Sequence, residues 1–351
     1  MNKIEKIECS IIKMKLTKPF ITALHEVDSV QAVKVKVILD NGLSAIGSGT
    51  PNEMVTGDSL GGMLDIIRNV ISPKILGRSL DNWNKLIEGL QHSVEGNYPS
   101  KAALEIALFD LRSQLFKTSL PTLLGDKDNL PVKTDYTISI GSSDEMIKSA
   151  KTKINQGFTS LKIKVGERDY YDDVRLIENL SVALSKNVIF RVDVNQGWTV
   201  KETIEAANEW KNKNIKIDFI EQPVTRDDLY GMKLVTENSP YPIMADESVF
   251  TVKDAVRVIR AHACDLINIK LMKTGGLSVA ESINKIAETF GIKCMIGCMI
   301  ESPISIAAAV DFASTHSNVV YADLDSIFMV DNKSLEFKKD ELLPMQSRCW
   351  E

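Results

Sequence analysis

Ser160-Leu161-Lys162-Ile163-Lys164-Val165 is an apolar, β-rich run, and an amphipathic helical pattern over Asp172–Leu184 follows it. Then comes Val188-Ile189-Phe190-Arg191-Val192-Asp193-Val194, a second run of the same kind. The unit repeats. Similar runs stand at Thr134–Ile140, Ile215–Ile220, Ile243–Ala245, Leu266–Ile269, Lys293–Ile296 and Val319–Ala322, with helical patterns such as Asp144–Asn155 and Val200–Asn212 between them. A spacing of roughly 20–30 residues is what a strand, a helix and two loops need. Eight strands alternating with helices predict a parallel (β/α) barrel. Two packed parallel sheets would give a similar rhythm, but the strand count favours closure.

Upstream of Pro131 the pattern is different. Val30–Leu39 alternates apolar and polar residues, Asp40-Asn41-Gly42 supplies a turn, and residues 43–46 resume the alternation. With residues 3–14 this reads as an antiparallel sheet. Helical patterns follow over Leu60–Ile71, Leu80–Leu90 and Ser100–Phe116. The expected organisation is an α+β domain over residues 1–125 and a barrel over 126–325. Residues 326–351 fit no further unit and are expected to return to the first domain.

Composition narrows the function. The 351 residues are 44% hydrophobic and 25% charged, which excludes disorder, and a net charge of −5 without a basic block argues against nucleic acid. No run approaches the ~18 apolar residues of a membrane span. The N-terminus lacks a signal-peptide apolar core. The five cysteines (Cys9, Cys264, Cys294, Cys298 and Cys349) are scattered without a C-x-x-C pair. A cytoplasmic protein without structural disulfides or a membrane partner is therefore expected.

In a (β/α) barrel, side chains at the C-terminal strand ends converge on one site. Here those ends carry charge. Lys162 and Lys164 share a face at period two; Asp193, Glu221 and Asp246 end three consecutive strands; Lys270 ends the sixth. The seventh runs into Cys298-Met299-Ile300-Glu301, and the eighth into Asp323-Leu324-Asp325. Three converging carboxylates repel unless a cation lies among them, and all-oxygen ligation suits Mg²⁺. None of the four histidines is placed for a zinc site. A divalent cation would stabilise the enediolate formed when a carbon acid beside a carboxylate loses its proton. Lysines on opposite faces could remove a proton from one side and return one to the other, which is the chemistry of a racemase or epimerase.

The set Lys-x-Lys, Asp-x-Asn, Glu-Gln-Pro, Ala-Asp-Glu-Ser, Asn-Ile-Lys and Met-Ile-Glu-Ser resembles the muconate lactonizing enzyme subgroup of the enolase superfamily, and within it the dipeptide epimerases. The likeness extends to Ala102–Leu111 of the first domain. It implies an α/β fold: a (β/α)7β TIM-like barrel with an N-terminal α+β capping domain, completed by the C-terminal segment. It implies one Mg²⁺ per subunit on Asp193, Glu221 and Asp246, and an acid/base pair in Lys164 and Lys270. It gives Lys162 and Thr137 to the substrate carboxylate and Asp323 and Asp325 to the dipeptide's ammonium group. Met299 and Glu301 join the substrate-binding set, and a homo-oligomer is expected.

Two stretches depart from the family. The chain reads Ala45-Ile46-Gly47-Ser48-Gly49 where relatives often carry an acidic motif. Where glutamate-specific epimerases carry an Arg in the first capping loop, it has His25. Leu24, His25 and Met54 would then line a pocket for an apolar or aromatic side chain, as in L-Ala-L-Phe or L-Ala-L-Tyr, rather than for Glu. Glu26, Asp28 and Glu53 leave a cationic side chain as the alternative. A cycloisomerase or o-succinylbenzoate synthase-like lyase would have no use for Asp323 and Asp325, and a non-catalytic binding protein would need neither Lys164 nor Lys270.

Overall fold

The structure, a computed structural model, describes residues 2–21, 26–125, 130–184, 187–330 and 335–345. Strands β1 (Ile4–Ile21), β2 (Glu26–Leu39) and β3 (Ser44–Gly49) form an antiparallel sheet in that order. Val33, Val35, Val37 and Leu39 are fully buried on one face, the period of two that the sequence shows. The hairpin runs further than residues 3–14 and 30–39. After an irregularity beyond Lys15, Phe20 pairs with Val27 and Ile21 with Glu26, since ladder bonds between backbones do not require apolar alternation. Residues 19–21 and 26 of the expected first capping loop are therefore hairpin strand; Leu24 and His25 lie outside the described residues.

The helix Tyr98–Leu115 is buried along nearly its whole length. One side lies on β3 so closely that a Cβ on Gly47 would stand 2.0 Å from the Ala103 carbonyl oxygen. Only glycine permits that approach. The helix expected over Leu60–Ile71 is α-helical to Asp65 and widens to a π turn over Ile66–Ile71, ahead of the Ser72–Ile75 turn in which Pro73 has no N–H to donate.

After the short β4 (Val132–Lys133) come the barrel strands β5 (Tyr136–Ile138), β6 (Ser160–Lys164), β7 (Ile189–Asp193), β8 (Ile217–Glu221), β9 (Ile243–Ala245), β10 (Leu266–Lys270), β11 (Lys293–Gly297) and β12 (Val319–Asp323). They form one parallel eight-stranded sheet in sequential order. Helices separate them, several opened by a capping box such as Thr199 with Glu202. Side-chain bonds cross the seam between β12 and β5: Leu324 N donates to Thr134 Oγ1 (2.8 Å), and Arg191 Nη1 donates to both Asp135 Oδ2 and the Ala322 carbonyl. The fold is a nearly closed (β/α)7β barrel under an antiparallel sheet-and-helix cap. One apolar cluster runs through both.

Past the barrel, Val330 bridges Leu16 of the cap hairpin, and Thr17 N donates to the Met329 carbonyl. Farther on, β13 (Phe337–Lys338) and β14 (Glu341–Leu342) form a small sheet with β4. The segment thus touches both the cap and the strand that leads into the barrel.

Candidate active site

Strand register brings the charged residues into one layer. Lys164 is aligned with Asp193 and Asp193 with Glu221; on the other side Lys270 is aligned with Gly297 and Gly297 with Asp323. Asp246 follows β9 directly, its N–H held by the Gln222 side chain at 3.0 Å. Asp193, Glu221 and Asp246 are all buried.

Ammonium groups crowd these carboxylates. Lys162 Nζ lies 2.9 Å from Asp193 Oδ2, 2.9 Å from Glu221 Oε2 and 2.8 Å from Asp323 Oδ2. Lys164 Nζ reaches Asp193 Oδ2 at 2.7 Å and Asn195 Oδ1 at 2.8 Å. Across the barrel Lys270 Nζ is 2.7 Å from Asp246 Oδ2, and the fully buried Lys273 is 2.5 Å from Asp246 Oδ1. The two expected acid/base lysines therefore stand on opposite sides of the site, each against a different carboxylate.

The electrostatics follow from burial and this pairing. Burial works to raise the Asp193 pKa, but Lys162 and Lys164 outweigh it and hold the group down at about 2. Burial and the Asp193 charge push Glu221 up to about 8 despite Lys162. Burial disfavours the Lys270 ammonium, yet Asp246 more than compensates and its pKa is raised.

The donor set suits a hard divalent cation. It is all carboxylate and buried, and a bound cation would take the place the lysine ammonium groups now hold on these oxygens. Glu221 Oε2 and Asp246 Oδ1 accept no well-formed hydrogen bond, and each has only an ammonium beside it. Lysine ammonium groups stand against all three carboxylates, whose charges also bear on one another. Among the described residues, the three acidic groups whose oxygens all lie within 4.8 Å are instead Asp135, Asp323 and Asp325.

That second cluster is not built on a single strand. Strand β12 stops at Asp323, and Asp325 opens a short 3₁₀ helix, so the two are not on one strand face. Their carboxylates still meet, because Thr137 N donates to Asp325 Oδ2 at 2.6 Å while Asp323 turns to Lys162. Glu301 is buried, accepts from Met299 N at 2.9 Å, and is pushed up to about 7 by burial. Met54 is 59% exposed on a loop that Asn52 ties to the Met299 sulfur.

Lys273 and the Arg191–Asp135 pair were given no place in the site by the sequence, and Asn195, Glu247 and Asn268 stood in its motifs without a role. Lys273 sits three places after Lys270, where one turn of helix returns it to Asp246. Asn268 donates to Glu221 Oε1 at 2.8 Å, and Asn195 Nδ2 to Glu247 Oε1 at 3.2 Å. Arg191 and Asp135 pair inside the barrel at 2.8 Å. An arginine in the middle of an apolar strand was the available signal for that pair.

Residues 145–343 match the enolase C-terminal domain-like family, and residues 6–125 match the mandelate racemase / muconate lactonizing enzyme N-terminal domain. The chain belongs to the enolase superfamily. It is 42% identical over 329 residues to the L-Ala-D/L-Glu epimerase of Bacillus subtilis (strain 168), covering 93% of this chain and 89% of that protein. A substrate-liganded structure of the Bacillus subtilis epimerase superposes with a TM-score of 0.96 at 39% identity, covering 98% of this chain and 97% of the other. A dipeptide epimerase from Enterococcus faecalis V583, solved with Mg and L-Leu-L-Tyr, gives a TM-score of 0.93 at 35% identity, with 98% of each chain covered. Such relatives are epimerases and racemases, and this superfamily member is likewise an isomerase. No helix among the described residues is long and apolar enough to cross a membrane.

Proposed function

We propose that the protein is a Mg²⁺-dependent dipeptide epimerase that inverts the α-carbon of the C-terminal residue by 1,1-proton transfer. The observation that carries this reading is the opposition of Lys164 on Asp193 and Lys270 on Asp246, each at 2.7 Å. Asp193, Glu221 and Asp246 would hold one Mg²⁺ per subunit, which when bound supplies positive charge for the carboxylate of the deprotonated substrate. One lysine takes the α-proton, and the other returns a proton to the opposite face. Lys162 and Thr137 would bind the substrate carboxylate, Lys162 leaving Asp323 to do so. Asp323 and Asp325 offer the dipeptide's free ammonium two carboxylates, which a cycloisomerase or lyase would not need. Four described cysteines are free thiols, which fits a cytoplasmic enzyme.

For the epimerised residue, apolar or aromatic side chains are the preferred class. Neither residues 19–28 nor residues 50–58 contain a Lys or Arg to pair with a glutamate. Incubating L-Ala-L-Xaa peptides (Xaa Phe, Tyr, Leu, Glu, Lys or Arg) with Mg²⁺ in D₂O tests both levels of the reading. The α-carbon should take up deuterium and lose configuration, with the highest kcat/KM on Phe, Tyr or Leu. A maximum on Glu would overturn the side-chain assignment, and one on Lys or Arg would transfer it to the acidic loop residues. No exchange with any peptide would remove the epimerase reading.

A further inference from the structure

Lys270 ends β10 and leads into a short helix (Leu271–Thr274), then Gly275-Gly276, then the helix Leu277–Thr289. This connection carries two cations of the site, Lys270 and Lys273, both on Asp246.

The helix Leu277–Thr289 cannot cap itself. Its N-cap is Gly276, which has no side chain, whereas the helices starting at Ser143, Tyr170, Val200, Leu229 and Val252 are capped by their own Ser, Asp or Thr. The missing acceptor comes from the cap. Glu105, in the middle of the buried helix Tyr98–Leu115, accepts from Ser278 N at 2.6 Å (Oε1) and from Ser278 Oγ at 3.0 Å (Oε2). A carboxylate also suits the positive end of the helix dipole.

Gln91, at the end of the cap helix Trp83–Gln91, completes the contact. Its Nε2 donates to Glu105 Oε2 and, at 2.8 Å, to the Gly275 carbonyl. The loop is shaped to receive the carboxylate: Gly276 has φ +132°, and a Cβ there would stand 2.6 Å from Glu105 Cδ. Glu105 is fully buried among these partners, and none of its hydrogen bonds reaches Lys270 or its carboxylates.

We infer that Glu105 is a positioning residue for Lys270, capping from the other domain the helix that follows that lysine and fixing the 270–278 connection. It acts on one face of the site. Lys164, on β6 across the barrel, has no part in this contact. A change at Glu105 should therefore slow proton transfer unequally on the two faces, which general destabilisation would not do.

The inference rests on the two-lysine reading, and its test separates the two. L-Ala-Phe, L-Ala-Glu and L-Ala-Lys, each as both epimers, are followed in D₂O with Mg²⁺, using wild type, Lys164→Ala, Lys270→Ala and Glu105→Gln. The alanine variants identify the epimer whose proton each lysine removes. Glu105→Gln should shift the ratio of initial exchange rates at least fivefold against the Lys270 epimer. Equal slowing of both epimers, or no change, would overturn the positioning role. A second readout needs no activity: amide hydrogen exchange over residues 270–278 should quicken at least tenfold in Glu105→Gln, with residues 160–165 unchanged. Unaltered protection at 270–278 would overturn the inference even if wild type epimerised none of these peptides, the outcome that independently removes the two-lysine reading. If Glu105→Gln does not fold, Gln91→Met gives the same measurements, with a smaller shift in the same direction expected and no shift counting against the role.

Discussion

A lysine with no exposed surface must have its charge met or give it up; burial lowers the Lys273 pKa, and Asp246 Oδ1 at 2.5 Å and the Asn268 carbonyl at 3.0 Å work against that. Lys273→Met should cost about 3–5 kcal/mol in urea unfolding of the metal-free protein, since it removes one partner of a buried pair. A loss below about 1 kcal/mol would mean that Lys270 alone satisfies Asp246. Asp323 and Asp325 make a separate prediction, on substrate. A charge-assisted hydrogen bond to ammonium is worth about 1.5–3 kcal/mol, so N-acetylating a good dipeptide should lower kcat/KM at least tenfold. Equal turnover of acetylated and free peptides would confine both aspartates to bracing the seam. The ionisable residues at strand ends were legible in the sequence because a charge closing an apolar run is conspicuous. Asn195, Asn268 and Gln222 stand in the motifs but drew no role, because a neutral amide does not declare its partner until that partner is placed.

At the scale of elements, the eight barrel strands were legible from their alternation with helices, and the observed ends differ from the expected ones by a few residues at most. The cap hairpin was longer than it reads, because its backbone pairing continues beyond Lys15 to Ile21 and Glu26, where the sequence shows no regular alternation. What no pattern along the chain could show is a contact between elements far apart in it, such as Glu105 with Ser278. That contact has a pH signature. Burial pushes the Glu105 carboxyl from its ordinary 4.5 up to about 7, against the hydrogen bonds from Ser278 and Gln91. A carboxyl that holds its proton more tightly when folded contributes stability that is full below about pH 4.5 and lost as pH rises through about 7. Shifted by that much, it is worth about 3 kcal/mol. Glu105→Gln does not titrate. The unfolding free energy of wild type relative to this variant should thus fall by about 3 kcal/mol between pH 4.5 and 8, other carboxylates cancelling in the comparison. A difference that rose with pH would mean that the folded protein prefers the ionised form.

In the whole molecule, one apolar cluster reaches from Val33, Val35 and Val37 of the cap sheet to Phe190 and Phe312 of the barrel, and Glu105 and Ser48 tie the cap to the loops after β10 and β11. An apolar cluster shared by both parts gives neither a surface on which to unfold alone, so cap and barrel should melt as a single unit. Trp83 reports on the cap, where it packs edge-on against Phe109; Trp210, fully buried in a barrel helix, reports on the barrel. Variants retaining one or the other as sole tryptophan should give coincident urea transitions. Mg²⁺ extends the argument, because its ligands would all lie in the barrel. At a hundred times its dissociation constant a ligand specific to the folded state adds about 2.7 kcal/mol. If cap and barrel are one cooperative unit, that increment must appear at Trp83 as fully as at Trp210, and Asp193→Asn should abolish it at both. Two separate transitions, with Mg²⁺ moving only that of Trp210, would show that the barrel holds its metal without help from the cap.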